Sequence, residues 1–196
     1  MVKPFFYTKS QIEKIGNAIV YLATHITDLN KTKLLKLLYL IEETSIQKYA
    51  FPFFNIRFDV WKFGPVCKDI FVELSDAPDL LSNYISLEKN SENSFIKSLK
   101  EFSDDEFSDN DLSILEYISS HYKNASASQL VNLTHSKHSP WYQTALKNGL
   151  LEYFDLGLMN STDVEIDFSL IFQDENRKEF YKENKELLAF SQQLKS

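Results

Sequence analysis

The chain has 196 residues, of which 43% are apolar, and a formal net charge of −7. This length and apolar content suffice for a packed core and exclude a largely disordered chain. The negative charge disfavours non-specific nucleic-acid binding, which requires many Lys and Arg side chains facing phosphates. With only 4 Gly and 5 Pro, the chain has little turn chemistry for an all-β fold. We therefore expect a helical fold that binds another protein. We do not expect it to bind nucleic acid.

Cys67 is the only cysteine. A single thiol excludes an intramolecular disulfide, a Cys-rich zinc site and a dithiol redox pair, which favours a reducing compartment. No stretch approaches the roughly 20 apolar residues of a membrane span, and the residues from Met1 to Tyr7 do not resemble a secretory leader. We therefore predict a cytoplasmic protein with no membrane partner.

Two helices are predicted in the first fifty residues. Thr8 and Gln11 have the spacing of a capping box, and isoleucine and leucine then recur at helical intervals. Asn30 is a suitable cap for a second helix, whose run Lys33-Leu34-Leu35-Lys36-Leu37-Leu38-Tyr39-Leu40-Ile41 is apolar on most of its circumference. This pattern predicts the central helix of the core, ending near Tyr49-Ala50-Phe51-Pro52.

A short strand is predicted next, near residues 56–62. Ile56, Phe58 and Val60 alternate with polar residues, as on a half-buried strand. Gly64-Pro65 should stop this strand, and since the fixed φ of proline suits the first helical position, we expect a helix from Pro65 to Leu74.

The segment from Tyr84 to Leu99 allows two interpretations. Two apolar runs separated by polar residues favour a hairpin over 84–99, whereas a helix over 95–102 is the alternative. An acidic connector follows, and Ser108 with Asp111 has capping-box spacing for a helix that starts near Asp109.

Shorter helices are predicted after Tyr122. Ser126 and Gln129 form another capping-box pair, Ser139-Pro140 pairs a cap with a first-turn proline, and Asn148-Gly149 ends that helix. A last helix is predicted over 176–194. The expected fold is mainly α with a small β element, with one domain at 1–150 and a C-terminal helical extension at 151–196 packed on the same domain.

No arrangement in the sequence predicts catalysis, a metal or a cofactor. His135 and His138 lack the further ligands that zinc requires, so a structural role is expected for them. Cys67 has no nearby histidine and is expected to be a buried, unreactive thiol. Adjacent acids such as Glu42-Glu43 diverge on a helix and cannot flank one substrate bond. We therefore expect a protein that is not an enzyme.

Three runs of residues resemble the Panacea domain, the family of SocA-type antitoxins. The first is Lys33-Leu34-Leu35-Lys36-Leu37-Leu38-Tyr39, and the second is Phe58-Asp59-Val60-Trp61-Lys62-Phe63-Gly64-Pro65-Val66. The third combines Ser126-Ala127-Ser128-Gln129-Leu130, Leu133-Thr134-His135 and Pro140-Trp141. They occur in the family's order, with Asp59 and Phe63 replacing the family's usual Glu and Tyr.

This resemblance implies a mainly helical antitoxin that neutralises a cognate toxin by direct binding. The toxin would be encoded by an adjacent gene, in a bacterial or phage genome. A protease would be a second partner if the chain acts as an adaptor, as one type in the family does. Because family members are associated with many unrelated toxins, the resemblance does not identify the toxin.

The predicted partner-binding residues lie on and beside the predicted strand. Trp61 and Lys62 place an indole next to a cation, a combination suited to anchoring a partner. Tyr49, Arg57 and Asp59 would flank the same surface. Alternatively, Trp61 belongs to the core and Lys62 only covers it with its aliphatic stem.

Two other functions stay open from the sequence. The helices between residues 112 and 149 could include a helix-turn-helix of a DNA-binding transcriptional regulator. An enzyme that uses Cys67 or His135 is the third possibility.

Overall fold

The central helix α2, Lys31–Tyr49, is the element around which the others pack. In the computed structural model, which describes residues 7–89 and 94–194, nearly every residue of α2 from Lys33 to Glu42 is buried. The Asn30 side chain caps the helix by accepting a hydrogen bond from the Lys33 amide at 3.0 Å. The predicted central helix is therefore confirmed, and so is its cap.

The remaining helices pack on α2 or on the elements next to it. Helix α1 packs against α4, and α2 contacts α3, α4, α5 and a short 3-10 helix. Their bounds are α1 Lys9–His25, α3 Lys68–Glu73, α4 Asp109–Tyr122, α5 Ala127–Thr134, α6 Pro140–Lys147, α7 Leu150–Asp155, the 3-10 helix Phe168–Ile171 and α8 Glu175–Gln193. The capping boxes predicted at Thr8, Ser108 and Ser126 are all present.

Two small antiparallel hairpins complete the described fold. Strands β1, Asp59–Trp61, and β2, Gly64–Val66, form the first. Strands β3, Ile85–Lys89, and β4, Ser94–Ser98, form the second, which bonds to the α1–α2 connection through Ile96 N and Leu29 O at 2.8 Å. The prediction of a mainly α fold with a small β element is confirmed. The hairpin over 84–99 is also confirmed, and the alternative helix over 95–102 is wrong.

The predicted helix start at Pro65 is wrong. Gly64, Pro65 and Val66 form strand β2, and α3 starts only at Lys68. Proline is tolerated in β2 because Val60, its cross-strand partner, directs its amide away from β2, to Val164 O at 2.9 Å. The pair is thus a non-hydrogen-bonded pair of the ladder, in which no amide proton is required of residue 65.

The outer edge of β1 is covered by main chain from the C-terminal part of the protein. Lys62 N donates to Asn160 O at 2.9 Å, and Ile166 N donates to Phe58 O at 2.8 Å. Residues 160–166 thereby satisfy the strand edge that would otherwise offer unpaired amides and carbonyls. The predicted strand is therefore flanked on both sides, by β2 and by this cover segment.

Helix α8 is held by the buried side chain of Tyr181, which packs on Phe172, and by polar contacts to the end of α2. Arg177 donates to the carbonyl oxygens of Gln47 and Lys48, at 2.8 and 3.1 Å, and Asn184 donates to Ala50 O at 3.0 Å. These contacts join α8 to the rest of the protein, while the division into a domain at 1–150 and an extension at 151–196 stays a prediction. None of the helices within the described ranges has the length and apolar character needed to cross a bilayer.

Replacing Gly64 by Ala should destabilise the protein more than replacing Gly149 by Ala. Both glycines have positive φ, +98° and +66°, so each change strains the backbone by roughly 1–2 kcal/mol. A Cβ on Gly64 would also lie 3.0 Å from the Lys36 ammonium and from Thr134 Oγ1, whereas one on Gly149 would meet nothing within 4 Å. Urea denaturation should therefore show a loss of roughly 2–4 kcal/mol for Gly64→Ala and about 1 kcal/mol for Gly149→Ala. Equal losses would show that the close approach at Gly64 has no energetic weight.

Candidate functional site

The three sequence runs that carry the family resemblance meet at one place, the β1–β2 hairpin. The turn of this hairpin is Lys62-Phe63, between the paired residues Trp61 and Gly64. Donors from α2, from the end of α5 and from the first turn of α6 reach its carbonyl oxygens. We call these residues, Trp61 to Pro65 with Lys36, His135 and Trp141, the hairpin clamp.

His135 and Trp141 hold the β1 side of the turn. His135 Nε2 donates to Lys62 O at 3.0 Å, and Trp141 Nε1 donates to Trp61 O at 3.0 Å. The two rings also pack together, with their centroids 3.9 Å apart. Ser139, the N-cap of α6, positions Trp141 by accepting from the Tyr142 amide at 3.1 Å. The expected structural role of His135 is therefore visible as a direct bond to the hairpin.

Lys36 holds the β2 side of the turn from the middle of α2. Its side chain is buried, and Nζ donates to Pro65 O at 2.9 Å. No carboxylate pairs with Lys36 in the part of the chain that the structure describes. Burial without a counter-charge lowers the pKa of Lys36 to about 7. A buried amine therefore replaces water as the partner of this carbonyl.

Two of the predicted partner-binding residues, Arg57 and Asp59, bind each other. Asp59 is buried, and its carboxylate accepts from Arg57 Nε at 2.7 Å and lies 3.4 Å from Lys68 Nζ. Lys68 also forms an ion pair with Asp163, which belongs to the cover segment. Asp59 thus joins β1, α3 and the C-terminal part of the protein, and its carboxylate is engaged within the chain.

The other three predicted residues, Trp61, Lys62 and Tyr49, are partly buried or exposed. Trp61 is partly buried and packs edge-to-face on Phe71, with ring centroids 5.1 Å apart. Its indole N–H is buried and finds no hydrogen-bond partner among the described residues. Lys62 is partly buried beside Trp61. Tyr49 is 37% exposed at the end of α2, on a different element from the hairpin. The five residues therefore do not form one continuous set, and their role as partner contacts stays a prediction.

Phe63 is the residue that the sequence-based prediction of the site omitted. It is 67% exposed at the tip of the hairpin, and Lys62 Nζ lies 6.0 Å from its ring centroid. Its exposure follows from the two-residue turn between Trp61 and Gly64, whereas the sequence pattern predicts the start of a helix at Pro65. A Lys-Phe turn followed by Gly is the signal that could have revealed it.

Cys67 has the predicted character of a buried thiol. It is 2% exposed, and burial raises its pKa to about 11, so the thiol is protonated at neutral pH. Within residues 7–89 and 94–194, no group of three or more His, Cys, Asp and Glu side chains is placed to hold a metal ion.

A protein-family model described as antitoxin SocA-like, Panacea domain, matches residues 34–142, which is more than half of the chain. The matched range contains nearly all of the three runs and the whole hairpin clamp. Comparisons with curated proteins and with solved structures give no match.

Replacing Lys36 by Met should cost more stability at high pH than at neutral pH. Burial lowers the pKa of Lys36 from 10.5 to about 7, so the folded protein releases this proton above pH 7 while the unfolded chain retains it up to about pH 10. The unfolded state then binds more protons, and stability of the wild type rises over this range. The Met variant lacks that gain.

We expect the difference in free energy of unfolding between wild type and Lys36→Met to grow by on the order of 3 kcal/mol between neutral pH and about pH 10. Urea denaturation of both proteins at several pH values measures it. A difference that stays constant with pH would mean that Lys36 keeps its charge in the folded protein.

Proposed function

Because this chain belongs to the antitoxin SocA-like, Panacea domain family, we propose that it neutralises a cognate toxin by binding it directly through the surface around the hairpin clamp. The observation that carries the proposal is an exposed aromatic side chain, Phe63, on a turn that is fixed by three buried or partly buried donors. A rigid aromatic anchor loses little conformational entropy on binding.

The location of the clamp in the chain supports this proposal. Lys36, His135 and Trp141 come from separate elements. The side chain of each donates a hydrogen bond to a main-chain carbonyl oxygen of the same hairpin. Three such hydrogen bonds on one short turn restrict it to a single conformation. Lys62, beside Phe63, adds a positive charge to the same surface.

The remaining features of the proposal come from the family. The toxin would be encoded by an adjacent gene, both proteins would be cytoplasmic, and the chain would act by occlusion without being an enzyme. If the chain also delivers its toxin to a protease, a second surface would be needed for that protease.

The alternative function, DNA binding through residues 112–149, receives little support from these helices. Helices α4 and α5 contain no Lys or Arg, and α6 contains only Lys147. The first residues of α6, Pro140 and Trp141, which would lead a recognition helix, are buried. Within residues 112–149, phosphate contacts would depend on Lys147 and on Lys123 and Lys137, which lie in the connections between the helices.

Replacing Phe63 by Ser should weaken toxin binding without unfolding the protein. Since Phe63 is mostly exposed, the free energy of unfolding should change by no more than about 0.5 kcal/mol. Loss of a central aromatic anchor should weaken binding roughly 10- to 100-fold. The measurements are growth rescue on co-expression with the neighbouring gene product, and calorimetric affinity for an inactivated form of it.

Phe180→Ser is the matched control, since Phe180 is 54% exposed on α8. It should leave rescue and affinity unchanged. Equal losses for both variants would argue against the hairpin as the contact. A neighbouring gene product that is not toxic alone, or that this chain neither binds nor neutralises, would refute the antitoxin mechanism itself.

A further inference from the structure

A groove on another face of α2 contains an acid, Glu43, that has no partner among the described residues. The groove lies between the C-terminal half of α2, the end of α4 and α5, and has a volume of about 330 Å³. A second depression of about 390 Å³ adjoins it, and the two share Tyr122 and Leu133. The residues that matter for its chemistry are Leu40, Glu43, Lys48, Tyr117, Tyr122 and Leu133.

Glu43 and its neighbour Glu42 have opposite situations. Glu42 is buried and accepts a hydrogen bond from the Phe54 amide at 2.7 Å, so it has a structural partner. Glu43 is partly buried in the groove, and its carboxylate has no hydrogen bond or ion pair to any described residue. Desolvation raises the pKa of Glu43 to about 7. An ionised carboxylate at this position costs stability and gains nothing within the chain.

One wall of the groove already binds a cation through an aromatic ring. Lys48 Nζ lies over the ring of Tyr117, 5.1 Å from its centroid, which is a cation–π contact. Lys48 does not come within ion-pair distance of Glu43. The groove thus combines an aromatic surface that accepts positive charge with a carboxylate that no cation of the described chain neutralises.

The rim of the groove suits a protein segment. Tyr117 and Leu133 are 39% and 38% exposed, so they offer apolar contact area around the acid. Ser136 also lines the groove, and it follows His135, which bonds to the hairpin. The groove is therefore lined by both apolar and polar groups that a protein side chain could contact.

We propose that this groove binds an arginine side chain of the toxin, with its guanidinium paired to Glu43 and its plane against Tyr117 or Tyr122. This inference rests on the proposed function for the identity of the partner. Arginine fits better than lysine because its planar, weakly hydrated guanidinium both pairs with a carboxylate and stacks on aromatic rings. An incoming arginine would compete with Lys48 for the face of Tyr117.

The first test compares three variants with the wild type for affinity towards the inactivated product of the neighbouring gene. Glu43→Gln removes the charge at nearly constant volume and should weaken binding roughly 10- to 100-fold. Glu152→Gln, the same change at an exposed position on α7, should leave the affinity unchanged. Lys48→Met removes the internal competitor and should leave the affinity unchanged or increase it.

Thermal unfolding of Glu43→Gln separates binding from structure. Because Glu43 has no hydrogen bond or ion pair to any residue that the structure describes, the melting temperature should stay the same or rise. A fall in melting temperature together with the loss of affinity would indicate a structural role and overturn the inference.

The second test needs no toxin. N-acetylarginine methylamide is titrated into the protein, and the NMR signals of the Leu133 methyl groups and the Tyr122 ring are followed. We expect saturable shifts that disappear in Glu43→Gln and with the neutral isostere N-acetylcitrulline methylamide. If the wild type shows no saturable shifts, the result contradicts an arginine site in the groove. If Glu43→Gln also binds the toxin with full affinity, the inference is overturned.

The two tests separate the inference from the proposed function. If the toxin is bound and neutralised equally well by Glu43→Gln, the groove is not the arginine site and the antitoxin mechanism stands. If no toxin is bound but the arginine probe binds in a Glu43-dependent manner, the site stands and the antitoxin mechanism fails.

Discussion

The hydrogen bond from the buried Lys36 ammonium to Pro65 O is the interaction on which the candidate site depends. A two-stranded hairpin with three residues on each strand is not stable on its own in water. This hairpin is therefore held from outside, by Lys36 from the central helix and by His135 and Trp141 from the helices that follow. The free energy that is lost by burying an amine on α2 is offset by the satisfaction of a carbonyl oxygen that water cannot reach.

The same constraint explains the distribution of charge around β1. Asp59 is buried on the strand, and it is tolerated because Arg57 and Lys68 both face its carboxylate. Lys68 in turn reaches Asp163, so the ion pairs fasten the cover segment to the hairpin. The polar residues of this region thus work mostly within the chain, and they leave Phe63 as the prominent exposed side chain of the turn.

Features set by short sequence patterns were predictable. The capping boxes at Thr8, Ser108 and Ser126 depend on residues three positions apart, and the central helix on a run of leucines, so local sequence determines them. The start of α3 was not predictable from local sequence. Proline suits both the first helical position and a non-hydrogen-bonded strand position, and the choice here depends on Val164, far away in the chain.

The candidate site was predictable only in its location. The run containing Trp61 and Lys62 does form the centre of the clamp, whereas the burial of Asp59 depends on Lys68 and Asp163, which no local pattern links to it. Glu42 and Glu43 are adjacent and chemically identical in sequence. Their different roles come from tertiary packing. Glu42 accepts a hydrogen bond from the Phe54 amide, whereas Glu43 faces the groove beside α4 and α5 and has no partner among the described residues.

The cover segment lies outside the range that the family model matches, yet it completes the strand at the centre of that range. Three of its bonds join main chain to main chain, and such bonds depend little on which side chains the segment carries. Any extended stretch could make these main-chain bonds, whereas the ion pair of Asp163 with Lys68 and the buried side chain of Ile166 require particular residues in the segment. A fragment cut at residue 142 would leave the β1 edge open, and an open edge invites pairing with another molecule. The range that the family model matches therefore does not include all the contacts that complete β1.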